Sequence, residues 1–287
     1  MFYIEKLKKG HVWKRIFYER LTEPLHLNLL SIPVAMFGGF RARVEFDLIF
    51  RPQHAYGILA SADLARSIGI DRVTLIEFGV ASGAGLLNLC KISEAVTKLT
   101  GVRFRIFGFD SGAGLPLPKS YKDHPDLYQL GDYPMDFGKL QRALPSNCQL
   151  ILGELSTTVG SFVAKLDKDA PVGFCSIDVD YYSSTVDALD VLKGPSEYYL
   201  PRVQVYVDDV QLESHNSWCG ERLAINEFNQ SQEMRKIEHH AFFRGSRLFR
   251  NANWIDHMMT LHVLDHPMRV TPPQRAQQAV LANPYLS

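Results

Sequence analysis

The strongest constraint on this chain is a pattern that recurs along it: a short apolar run ends in an acid or a glycine, and a helix-like segment follows. "VTLIEFG" (73–79), "RFRIFGFD" (103–110), "QLILG" (149–153), "VGFCSIDVD" (172–180) and "RVQVYVDD" (202–209) all read as strands. Runs this continuously apolar need cover on both faces, which implies a largely parallel sheet between helices. "HAYGILASADLARSIG" (54–69) has Tyr56, Leu59 and Leu64 at helical spacing and Gly69 as a stop, and "AGLLNLCKISEAVTKLTG" (84–101) closes on Gly101. A further helix is predicted over about 184–193, opened by Ser184 with Asp187 as a capping box. "KIEHHAFF" (236–243) and "MMTLHVLDH" (258–266) predict a C-terminal antiparallel hairpin with a short connection.

Open sheets of this kind bind ligands beyond the carboxyl ends of their strands. Here those ends read Glu77-Phe78-Gly79, Asp110, Gly153, Asp178-Val179-Asp180 and Asp208-Asp209. "IEFGVASGAG" (76–85) places an acid, a tight turn and a helix start in succession, and Gly79, Gly83 and Gly85 would let backbone approach a ligand closely. Its spacing differs from GxGxxG, and no GK[ST] follows to hold a triphosphate. Asp110, with Ser111 beside it, stands where nucleoside-binding sheets put an acid on ribose hydroxyls. Its competing role is to cap the turn "DSGAG".

Asp178 and Asp180 would share one side if their strand persists, and Asp208-Asp209 end a neighbouring strand at the same edge. Carboxylates brought this close repel, and a hard divalent cation with oxygen ligands relieves the repulsion. Mg²⁺ suits such a site, although ligand type alone admits calcium or manganese. Helix capping and pairing with Arg or Lys would account for one of these aspartates more easily than for four.

Composition sets the outer bounds. The 287 residues carry 31 basic and 31 acidic side chains, a balance that gives no overall reason to expect nucleic acid as a partner. The length suits one large α/β domain with additions. Cys90, Cys148, Cys175 and Cys219 form no CxxC pair and read as free thiols, which favours a cytoplasmic location. The first twenty residues lack an apolar run of signal-peptide type, and "NLLSIPVAMFGGF" (28–40), which reads as a loop and contains Pro33, is too short to span a bilayer. Those twenty residues hold six basic and two acidic side chains among Phe2, Tyr3, Trp13, Phe17 and Tyr18. The segment could lie on an anionic membrane surface. The preferred reading is a helix packed on the domain with its aromatics inward. Residues 1–50 are thus expected as an N-terminal extension, on the core or at a homo-oligomer interface, and 51–287 as the main domain.

Five segments resemble the macrocin O-methyltransferase family, metal-dependent class I S-adenosylmethionine (AdoMet) methyltransferases acting on hydroxyls of natural-product sugars. They are "EFGVASGAG", "GFDSGAGLP" (108–116), "LGELSTTV" (152–159), "IDVDYYSSTVDAL" (177–189) and "YVDDV" (206–210) with "CGERLAINEF" (219–228), in the family's order over about residues 50–230. The resemblance implies a Rossmann-like, seven-stranded, mostly parallel sheet with a C-terminal antiparallel hairpin. It implies AdoMet at Glu77, Gly79, Gly83, Gly85, Asp110 and Ser111, Mg²⁺ on Asp178, Asp208 and Asp209, and Asp180 as general base. Gly112-Ala113 and "YYLPRV" (198–203) depart from the family pattern, both in expected loops. His215 is a second candidate base. Tyr121, Tyr128, Tyr133 and Trp218 are candidate linings for a small-molecule hydroxyl acceptor. The rival functions are a metal-dependent nucleotide-sugar glycosyltransferase, which leaves the glycine loop unexplained, and a catalytically silent binding protein of the same fold.

Overall fold

The computed structural model describes residues 13, 16–211, 214–271 and 280. Seven strands form one sheet: β1 (Arg72–Phe78), β2 (Arg103–Asp110), β3 (Cys148–Leu152), β4 (Val172–Ile177), β5 (Tyr199–Val207), β6 (Arg235–His239) and β7 (Met258–Val263). Their order is β3-β2-β1-β4-β5-β7-β6, parallel except for β7, which runs antiparallel to both neighbours. This is the class I methyltransferase architecture expected from the sequence. β6 and β7 form the expected antiparallel hairpin at one edge of the sheet. One detail differs: residues 240–257 make a long connection between them in place of a short one.

Helices cover both faces because alternate strand residues are apolar on both. Leu75 and Phe174 face α3 (Pro52–Ser67) and α4 (Ala84–Thr100), where Ile58, Leu86 and Leu89 complete one half of the core. Ile76, Ile177 and Val205 face α6 (Leu155–Val163), α7 (Tyr182–Leu189) and α8 (Gly220–Ser231), meeting Phe162, Leu189 and Phe228. Cys90, Cys148 and Cys175 are free and buried, as their apolar settings predict.

His54 is fully buried in the first half, edge-on to Phe174 and Tyr206 at ring separations of 5.7 and 6.3 Å. Neither ring nitrogen finds a hydrogen-bond partner among the described residues. Burial, aided by the Arg51 charge, pushes its pKa from 6.5 down to about 3. The folded state therefore binds this proton less readily than the unfolded chain. The neutral ring's contribution is intact above pH 6.5 and is lost as pH falls toward 3. Between pH 7 and 5 this one group should withdraw about 2 kcal/mol. In urea melts the unfolding free energy of wild type should fall between pH 7 and pH 5 by about 2 kcal/mol more than that of His54→Gln, whereas parallel pH dependence would rule the assignment out.

The N-terminal region departs from the inward-packed expectation. Residues 1–12 lie outside the described residues, but Trp13, Phe17 and Tyr18 are exposed. The stretch read as a loop at 28–40 forms most of α1 (Leu25–Phe37), a helix that buries none of its residues. α2 (Phe40–Glu45) then leads to a tight fastening. Arg247 binds Val44 O and Asp47 Oδ1 at 2.8 and 2.9 Å, and Trp254 Nε1 donates to Asp47 Oδ2. Among the described residues, no helix is long and apolar enough to cross a membrane.

Candidate active site

Strand register builds the site. Phe78 pairs with Phe109 on β2 and with Ile177 on β4, and Ile177 pairs with Val207 on β5. The residues that follow, Gly79, Asp110, Asp178 and Asp208, therefore emerge side by side at the carboxyl edge.

Gly79 shows how close the approach is. Its φ is +82°, and a Cβ there would stand 1.7 Å from the carbonyl oxygen of Asp178. Asp110 shapes the loop that follows: its Oδ2 accepts from the backbone N–H groups of Val80 and Ala81 at 2.9 and 2.8 Å, and its Oδ1 accepts from Gly112 N–H at 2.6 Å. The turn-capping role is thus real, and the same carboxylate also ties the β1 loop to the β2 loop. Gly83 starts α4 with φ +83°, where a side chain would strike Leu140. At Gly85 a Cβ would fall 1.8 Å from Glu77 Oε1. Glu77 is buried, its Oε2 has no partner among the described residues, and burial raises its pKa to about 8 against the pull of Arg51.

The acid pair is arranged differently from a continuing strand. β4 ends at Ile177, and Asp180 adopts φ +60°, so Asp178 and Asp180 flank a tight turn rather than sharing a strand face. Tyr181 N–H closes that turn on Val179 O at 2.6 Å. α7 begins at Tyr182, so the predicted Ser184–Asp187 capping box is absent. The amide of Ser183 instead donates to Asp123 Oδ1, at 2.8 Å, from the long loop after β2. Asp123 Oδ2 accepts from Lys119 N–H at 2.8 Å.

Glu221, on the first turn of α8, joins the two acidic strand ends. It is fully buried, with Oε2 accepting from Asp209 N–H at 2.8 Å and Oε1 from Val179 N–H at 3.4 Å. Sequence inspection passed over it because a first-turn acid ordinarily serves its own helix. Asp208 Oδ1 accepts from the Tyr206 hydroxyl, and Asp209 Oδ2 from the Tyr128 hydroxyl at 2.8 Å. Burial, then Asp208, Asp180 and Asp209, push the Asp178 carboxyl well above its usual range. Burial and Asp209 raise Asp180 to about 7.

These groups open on a cavity of about 430 Å³, within the range of small-molecule sites. Its lining includes Gly79, Asp110, Ser111, Asp178, Asp180, Asp208 and Asp209, with Tyr128 and Tyr133. Glu77, Gly83 and Gly85 lie behind the wall and shape it. Tyr121 and Trp218, proposed linings, are exposed and outside it. His215 is buried rather than on the surface, with Nε2 3.4 Å from the Tyr128 hydroxyl and 3.9 Å from Asp209 Oδ2; burial lowers its pKa. Lys119, Glu154, Ser184 and Asp187 also line the cavity; the last three fall within the quoted motifs, but the sequence assigns none of the four a ligand role.

The donor chemistry suits a hard cation. The lining holds eight carboxylates and, among the described residues, one basic side chain, Lys119. No three His, Cys, Asp or Glu side chains among the described residues are already grouped to hold a metal ion.

No protein-family model matches the chain, and no curated protein matches it. Among solved structures it is similar to the calicheamicin methyltransferase CalS11, at 19% identity over 71% of this chain and 78% of that one, with a TM-score of 0.46. The O-methyltransferase NovP matches at 18% identity over 62% and 72%, with a TM-score of 0.44. TomG, an O-methyltransferase of tomaymycin synthesis from Streptomyces achromogenes solved with SAM, matches at 14% identity over 88% and 94%, with a TM-score of 0.39. At such scores the fold assignment rests on the strand order and the antiparallel β7, not on these likenesses.

Proposed function

We propose that this protein is an AdoMet- and Mg²⁺-dependent O-methyltransferase of the macrocin type, acting on a hydroxyl of a sugar or other natural product. The observation that carries the reading is the convergence of the Gly79 loop and four aspartates on one cavity at the carboxyl edge. Gly79, Asp110 and Ser111 would contact AdoMet, with Glu77, Gly83 and Gly85 supporting the loop from behind. Gly79 supports this reading, because it lines the cavity without a side chain and leaves its backbone open to a ligand.

AdoMet, when bound, supplies an electrophilic methyl group, and a divalent cation on Asp178, Asp208 and Asp209 would lower the pKa of the acceptor hydroxyl. The chain's own groups do the rest. Asp180 accepts the hydroxyl proton at its carboxylate, a contribution of about 10²–10⁴-fold in rate. Glu221 fixes the two acidic turns relative to each other, and Tyr128 orients Asp209 through its hydroxyl. Tyr133, Leu115 and Pro116 wall the cavity.

Thermal melts with AdoMet, with UDP-glucose and with each plus MgCl₂ test this directly. At a hundredfold excess over its dissociation constant, AdoMet should add about 2.7 kcal/mol of stability. Stabilisation by UDP-glucose alone would assign the site to a glycosyltransferase. Transfer of labelled methyl to a panel of hydroxyl acceptors should stop in EDTA and return with Mg²⁺.

A further inference from the structure

We propose that α1 is a membrane-docking element that seats the protein on an anionic lipid surface, independently of the chemistry assigned to the cavity. Residues 25–37 carry no Asp, Glu, Lys or Arg, yet no side chain of this helix is buried. At about 100° per residue, Leu25, Leu29, Leu30, Ile32, Met36 and Phe37 occupy one continuous outward arc. All six are at least half exposed, up to 81% at Phe37. The half-buried Leu27, Ser31 and Val34 lie on the opposite side.

An apolar helix face of this kind needs a cover, and the described residues do not supply one. At about 1.5 Å per residue the thirteen residues extend about 20 Å, too short to cross a hydrocarbon core of about 30 Å. Lying in the interface is what its length permits.

Charge decides between lipid and a second copy of the chain. The first twenty residues hold six Lys and Arg against Glu5 and Glu19, in a chain balanced overall. A second copy of the chain would add like charge to this segment, whereas anionic headgroups neutralise it. The exposed Trp13, Phe17 and Tyr18 add the aromatic side chains favoured at a membrane–water boundary.

The position of α1 relative to the cavity follows from topology. α3 runs antiparallel to β1, so its start at Arg51-Pro52 lies at the carboxyl edge of the sheet. α2 and the fastened Asp47 connect α1 to that edge. A docked α1 would hold the carboxyl edge near the bilayer.

Flotation of the full chain tests the proposal, using vesicles of phosphatidylcholine alone and of phosphatidylcholine with phosphatidylglycerol. Wild type should float with the anionic vesicles and lose most of that binding in high salt. Leu29→Glu/Met36→Glu should lower the floated fraction at least about tenfold, with an unchanged melting temperature because both side chains are exposed. Leu30→Gln/Phe37→Gln repeats the test without added charge. Failure of wild type to float overturns the proposal. So does a dimer that the same substitutions convert to monomer without any vesicle binding, which would assign the face to a second copy.

Discussion

Asp180→Asn should lower methyl transfer by about 10²–10⁴-fold while leaving AdoMet affinity and the melting temperature close to wild type. The backbone explains why this substitution isolates the carboxylate. Asp180 sits at φ +60°, a conformation that asparagine adopts more readily than other non-glycine residues. The turn between Val179 and Tyr181 is held by a main-chain bond that does not involve the side chain. Its carboxylate lies beside Asp209 and Tyr128 in the cavity wall, so the amide also preserves volume. Alanine would confound the result by adding left-handed strain. Single-turnover kinetics with saturating AdoMet provide the measurement. Full activity in Asp180→Asn would transfer the base role to another group, and His215, 3.4 Å from the Tyr128 hydroxyl, would be examined next.

Gly79→Ala should destabilise the fold by about 3–5 kcal/mol, enough to lower the melting temperature by roughly 10 °C. Left-handed backbone accounts for only part of this, about 1–2 kcal/mol. The remainder comes from a methyl group 1.7 Å from a carbonyl oxygen that neither strand end is free to move. Gly79 N–H is bonded to Phe109 O on one side, and Asp178 N–H to Phe78 O on the other. Gly101 supplies the control: it has the same φ of +82°, but a Cβ there meets nothing within 4 Å. Gly101→Ala should therefore show the backbone cost alone. Equal losses in the two variants would mean that the β1 and β4 loops are not in contact.

Legibility differed by the kind of interaction involved. The five parallel strands were visible because two-sided burial forces continuous apolar runs, and their polar ends marked the cavity's edge. The loop glycines were visible because positive φ and close approach leave few alternatives. Asp178 and Asp180 were found but misplaced, since strand alternation assumes an extended chain and the strand stops at Ile177. Glu221 and Asp123 stayed hidden because their partners are main-chain amides distant in sequence. Glu221 is 42 residues from Val179, and Asp123 is 60 residues from Ser183. No local pattern encodes such a pairing. α1 was read as a loop because Pro33 and Gly38-Gly39 interrupt the pattern. Pro33 nonetheless lies inside the helix.

Asp123 also bears on how the acceptor range of this chain could be altered. By binding the amides of Lys119 and Ser183 at once, it knots the middle of the loop after β2 to the helix that begins two residues beyond Asp180. The loop is thereby divided into two arches, 111–118 and 125–135, which are joined by the Leu115 N–H to Asp132 O and the Gly131 N–H to Leu115 O. Each contributes to the cavity wall, through Leu115 and Pro116 in the first and Tyr128, Asp132 and Tyr133 in the second. Because the bonds at Leu115 tie one arch to the other, drift or directed libraries would have to rebuild the two together, with Asp123 as the fixed point beside the turn that holds the proposed proton acceptor.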